Sequence, residues 1–187
     1  MGVKLAAASG GSIELVPTNT ASNFTVTVPA ATGTMLTTAT AGTVLQVVSS
    51  AFSTGTSSTS TAYVDSTVSL GITLASASNK VLMLFNGGFG YVATGYPNGL
   101  VETICRQSSA TYSSGNDLTG GAAFGMTQIY NSTNLNTVPH SLSYLDTTPG
   151  STTPTYRIFY KVRAGGSNVT FCEPGTQMSF TLLEIAA

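Results

Sequence analysis

The sequence predicts an all-β protein: a short N-terminal β segment over residues 1–43, then an antiparallel β-sandwich over residues 44–187. Three observations carry this prediction. Short segments alternate apolar and polar residues with the period of two that half-buried strands need. No stretch shows the 3.6-residue repeat of an amphipathic helix. Clusters of Gly, Pro, Asn and Ser separate the segments at strand-length intervals.

In order along the chain, Ser12 to Val16 and Asn23 to Val28 alternate cleanly, with the turn chemistry of Pro17-Thr18-Asn19-Thr20 between them. Pro29 ends the second segment, and Gly33 precedes a third short run, Thr34-Met35-Leu36. Three short strands bury too little apolar surface to stand alone, so this unit is expected to intertwine with the same segment of neighbouring chains. A second unit opens at Val44-Leu45-Gln46-Val47-Val48 and runs through a Ser/Thr-rich stretch, Ser49 to Thr61, read as strand because Thr favours extended backbone. Further strands are expected at Tyr63–Leu74, Val81–Phe89, Leu100–Gln107, Ala122–Tyr130, His140–Leu145, Tyr156–Arg163, Asn168–Cys172 and Gln177–Ile185. Turns are expected at Ser78-Asn79-Lys80, Gly87-Gly88, Pro97-Asn98-Gly99, Gly115-Asn116-Asp117, Gly120-Gly121, Thr148-Pro149-Gly150 and Gly165-Gly166-Ser167. About eight strands at this spacing suggest two sheets packed as a jelly-roll-like sandwich.

Composition narrows the function. Of 187 residues only 7% are charged against 42% hydrophobic, with net charge −1. A chain so poor in charge stays dispersed through hydroxyl and amide groups or by hiding surface in an assembly, and both are expected. The six basic residues are scattered from Lys4 to Arg163, so no patch for nucleic acid forms. No run approaches a membrane span, and the apolar stretch after Lys4 is too short for a signal peptide, so an unprocessed protein without membrane insertion is expected. Cys105 and Cys172 have no second Cys or His at ligand spacing, which predicts no metal site; they read as buried thiols, with a single disulfide the alternative.

Two segments resemble a known family. Ile13-Glu14-Leu15-Val16-Pro17-Thr18-Asn19-Thr20 through Asn23-Phe24-Thr25-Val26-Thr27-Val28 and on through Pro29-Ala30-Ala31-Thr32-Gly33-Thr34 is similar to a stalk unit in fibre proteins of tailed bacteriophages. Val44-Leu45-Gln46-Val47-Val48, Tyr63-Val64-Asp65, Asn79-Lys80-Val81-Leu82-Met83-Leu84 and the closing Ser179-Phe180-Thr181-Leu182-Leu183-Glu184-Ile185-Ala186 resemble the head domain of such fibres. The resemblance implies a homotrimeric virion protein on the surface of a phage particle, made in the host cytoplasm. Ile13, Leu15, Phe24, Val26 and Val28 would then dock on capsid or tail, and the head would project and meet a host polysaccharide or outer-membrane component. Met1 stands almost directly before the stalk-like unit, which favours a short fibre, a knob or a capsid cement protein that decorates the shell over a long tail fibre.

For chemistry, His140 is the sole histidine, and no Gly-x-Ser-x-Gly elbow accompanies it; a Ser-His-Asp set would have to draw on Asp146 or Asp117. Asp65 and Glu184 read as structural or solvent-facing acids rather than a glycosidase pair, so a tailspike-type glycan depolymerase ranks last. Neither an enzyme nor a cofactor is expected. For binding, the candidates lie in the loop-rich middle, where Tyr91, Tyr96, Asn98, Tyr112, Asn116, Tyr130 and Asn131 would supply aromatic faces and adaptable hydrogen bonds; the alternative is that most of these tyrosines are strand or trimer-interface residues.

Overall fold

A computed structural model describes residues 3–6, 10, 12–15, 41–92, 98–131, 136–164, 168–173 and 175–187. The chain divides into two compact units, Met1–Met35 and Leu36–Ala187.

In the first unit, β1 (Val3–Ala6) and β2 (Ser12–Leu15) form an antiparallel hairpin that sets Val3 opposite Leu15 and Leu5 opposite Ile13. Of the apolar run after Lys4, Leu5 and Ala6 lie in β1, where the alternation of Val3, Lys4 and Leu5 fits a strand. Ile13 and Leu15 lie on β2, whereas Phe24, Val26 and Val28 and the expected strands at 23–28 and 34–36 lie outside the described residues.

The second unit is all antiparallel and sandwich-like. β5 (Val64–Gly71), β10 (Thr155–Val162), β7 (Asn98–Arg106) and β8 (Thr127–Asn131) lie side by side in a four-stranded sheet. The larger sheet holds β3 (Val44–Phe52), β12 (Met178–Ile185), β6 (Lys80–Val92), β11 (Val169–Thr170) and β4 (Ser57–Ser58), with β9 (Asn136–Asp146) on the other edge of β6. Period-two alternation sends one set of side chains inward from each sheet. Tyr156, Ile158, Tyr160 and Val162 of β10 meet Val81, Met83 and Phe85 of β6 and Met178, Phe180 and Leu182 of β12 in one buried core. Among the described residues the helical structure is a single 3-10 turn, Ser114–Asn116.

Three local expectations need correction. Gly87-Gly88, a turn signal in sequence that with Phe89-Gly90 also reads as strand-edge or bulge glycines, follows the second reading: β6 runs on to Val92, and the register against β9 shifts between Asn86 and Phe89. Gly87 sits at φ +106, where a Cβ would come 2.5 Å from the Gln177 carbonyl oxygen, so the glycine makes a bulge rather than a reversal. Opposite that bulge, β9 starts earlier than expected, and it carries Pro139 because it is an edge strand at an irregularity. Finally, the strand expected over Ala122–Tyr130 is confined to β8; Gly120, Gly121 and Gly125 all have positive φ and hold 120–126 as loop.

The two cysteines are free and buried. Asp65 makes the expected structural ion pair, with Arg157 at 2.7 Å, beside a bulge where Thr67 takes φ 67 and Ser66 donates to the Ile158 carbonyl.

Candidate functional site

The segment from Gln107 to Met126 builds most of the irregular surface. It first lays Tyr112 over the outward face of the four-stranded sheet, edge-on to Phe159 at 5.7 Å and against Tyr63 at 4.5 Å. Phe159, an outward residue of β10, is thereby fully buried. It then follows the end of β7 that β8 leaves open, with Leu118 N–H donating to the Ile104 carbonyl and Cys105 bridged to Asp117.

Beside this segment lies a polar cleft of about 310 Å³, walled by Arg106, Asn116, Asp117, Tyr144, Asp146 and Thr148. Both of its carboxylates are saturated. Asp146 accepts two hydrogen bonds from Arg106, at 2.7 Å each, one from the Tyr156 hydroxyl and one from Thr148 N–H. Asp117 accepts from Thr103, Tyr112 and both the N–H and hydroxyl of Thr119. Carboxylates so occupied anchor the loops that meet them.

His140 pairs with neither of them. Its Nδ1 lies 2.7 Å from Glu102 Oε1, a contact between the two sheets, and its Nε2 lies 3.5 Å from Cys172 Sγ. Cys172, His140 and Glu102 therefore stand in the order of a nucleophile, base and carboxylate, and sequence reasoning missed the set. Its signal was a lone acid inside Leu100-Val101-Glu102-Thr103-Ile104, a strand buried on both faces. The set is sealed among Phe85 and Phe171, whose rings lie 5.4 and 5.2 Å from the imidazole. Burial, then the Glu102 charge, pushes the Cys172 thiol up to about 12, so the thiolate that would attack is absent near neutral pH. Burial also raises Glu102, against the lowering hydrogen bond and charge of His140. The arrangement is a polar tie across the core.

No protein-family model matches the chain, and no curated protein matches it.

The candidate binding residues divide. Tyr112 donates its hydroxyl to Asp117 and Asn116 its amide to Gln107, contacts within the loop, while Asn116 also lines the cleft. Asn98 stands opposite Asn131, and Gly99 opposite Tyr130, in the register of β7 and β8, which gathers three candidates at one end of the sheet. Tyr91 stands opposite Thr137 and Thr170 in the larger sheet, and Tyr96 lies outside the described residues. Tyr130 is 36% exposed, and the Arg163 guanidinium lies over its ring.

A second surface was not anticipated. On the outward face of the larger sheet, register aligns Val47, Leu183, Leu82 and Leu145 in one row across β3, β12, β6 and β9. The row spans three strand spacings, about 14 Å. Val47 is 58% exposed and Leu145 43%. The neighbouring row, Ser49, Thr181, Leu84 and Ser143, is also uncharged, and Leu84 is 36% exposed.

Proposed function

We propose that the chain is a structural protein of a bacteriophage virion: a homotrimeric fibre or knob subunit with a jelly-roll-like head, which attaches to the host or decorates the particle. The observation that carries this reading is the bare aliphatic row Val47–Leu183–Leu82–Leu145 on a chain with 7% charged residues. An apolar stripe at the centre of an open sheet face is a liability for a monomer and a ready interface for a copy of the same chain. Like copies meet there without like charges, because neither central row carries one. The saturated carboxylates of the cleft and the sealed thiol support binding and assembly over catalysis.

The test is the stoichiometry of this chain in purified particles, measured against the major capsid protein, together with its native mass in solution. A trimer at a few copies per particle supports a fibre, and a ratio near that of the capsid protein supports shell decoration. A monomer absent from particles overturns the reading.

A further inference from the structure

Arg163 follows β10 directly, and its N–H donates to the Gly99 carbonyl at 2.8 Å. A Cβ on Gly99 would come 2.8 Å from the Ile129 carbonyl oxygen and 3.3 Å from Arg163 Cβ, so the glycine lets β7 sit close to β8 with the arginine stem against it. The guanidinium then stands between two rings, its Cζ 5.0 Å from the Phe124 centroid and 4.6 Å from that of Tyr130. Phe124 is delivered by a tight closure: Gly125 takes φ +59, where a Cβ would overlap the Glu102 carbonyl, and Met126 N–H donates to that same carbonyl at 2.7 Å. Phe124 remains 53% exposed, an unusual place for a phenylalanine that the fold holds so firmly.

Charge makes this cluster different from the others. Arg106 is locked to Asp146 and Arg157 to Asp65, each at 2.7 Å, whereas no carboxylate among the described residues pairs with Arg163. Two flanking rings fix the plane of a guanidinium, and its planar fork matches a carboxylate bidentately. We propose that Arg163, Phe124 and Tyr130 form a binding site for a carboxylated sugar, a uronate unit of a surface polysaccharide; this rests on the attachment reading above. The carboxylate pairs with the fork, and the C–H face of the pyranose packs on the exposed rings. The planar fork engages one carboxylate in a bidentate pair, which suits a singly charged sugar acid. One such site binds weakly, and three copies on a trimer would add avidity.

The experiment titrates the full chain with tetragalacturonate and, in parallel, with its neutral methyl ester. The free acid is expected to bind with a Kd on the order of 1 mM. Esterification, or R163Q, is expected to weaken binding by about tenfold or more, with R163K between because a lysine keeps the charge and loses the fork. F124A should also weaken it, while thermal melts of R163Q and F124A stay at the wild-type midpoint. Equal binding of the ester, indifference to R163Q, or equal competition by inorganic sulfate would each overturn the sugar site. A chain that is trimeric and present in particles yet binds no uronate removes this inference alone. A monomer missing from particles that binds uronate keeps the site and removes the virion reading.

Discussion

The two sheets treat their outward faces in opposite ways. The four-stranded sheet covers its own, folding residues 107–126 so that Tyr112 seals Phe159. The larger sheet leaves Val47 and Leu145 in solvent at the ends of an aliphatic row. Outward apolar residues thus have different surroundings: one is covered on folding, the other stays in contact with water. Mutations on the two faces should separate stability from assembly.

The largest effect is expected on the covered face. Phe159→Ala removes a fully buried ring beneath Tyr112 and should destabilise the chain by about 3–5 kcal/mol. Urea unfolding measures this, and a loss under about 1 kcal/mol would mean that the loop does not cover the sheet. Next is the pin between the sheets at the cleft. Asp146→Asn leaves Arg106 without its carboxylate and the Tyr156 hydroxyl with a poorer acceptor, at a cost of about 2–3 kcal/mol. Restoring a near-wild-type midpoint by adding Arg106→Gln would show that the cost lies in the orphaned charge.

The contrast between the faces also explains what the sequence could and could not reveal. Alternation made the strands legible, because inward residues such as Phe180 and Leu182 are separated by polar or half-exposed neighbours whatever the sheet order. Alternation does not say which outward residues a distant loop will cover, so the burial of Phe159 by Tyr112, 47 residues away by their numbers, left no local mark. Gly87 was ambiguous for a related reason: positive φ serves a turn and a bulge alike, and only the closeness of Gln177 decides. Of the binding residues, Tyr and Asn in the middle were visible by type. Their engagement, as with Tyr112 on Asp117 and Asn116 on Gln107, was not. Arg163 escaped notice because its partner rings arrive from two other segments.

A smaller effect sharpens the account of the larger sheet. Glu184 is buried with no cation paired to it among the described residues, neither ion-paired nor solvent-facing as its strand position suggested. Burial alone would raise its pKa, but donors on Asn79 and Gln46 and the N–H groups of Ala75 and Ser76 outweigh burial and lower it. A folded-state pKa below the unfolded one gives stability that is complete above the usual value of 4.5 and is lost as pH falls through the lowered one. Glu184→Gln should therefore cost about 1–2 kcal/mol at pH 7 and flatten the acid limb of the stability profile. An unchanged limb, measured by urea midpoints across that range, would place the acid sensitivity in another carboxylate.

The smallest effect on folding should be the largest on assembly. Val47→Ser with Leu145→Ser removes the two most exposed side chains of the row, each of which already meets water in the isolated chain. Surface replacements of this kind change folding free energy by no more than about 0.5 kcal/mol. If the row is the seam between copies, the double variant should run as a monomer in native mass measurements while its urea midpoint, taken at a concentration where the wild type is also dissociated, stays in place. If instead the variant assembles as the wild type does, the bare face is not the seam, and subunit contacts must be sought through the hairpin of β1 and β2 or through the residues around it. Either result assigns the two outward faces, because a face that contributes neither to folding nor to assembly would have no reason to keep four aliphatic side chains in register.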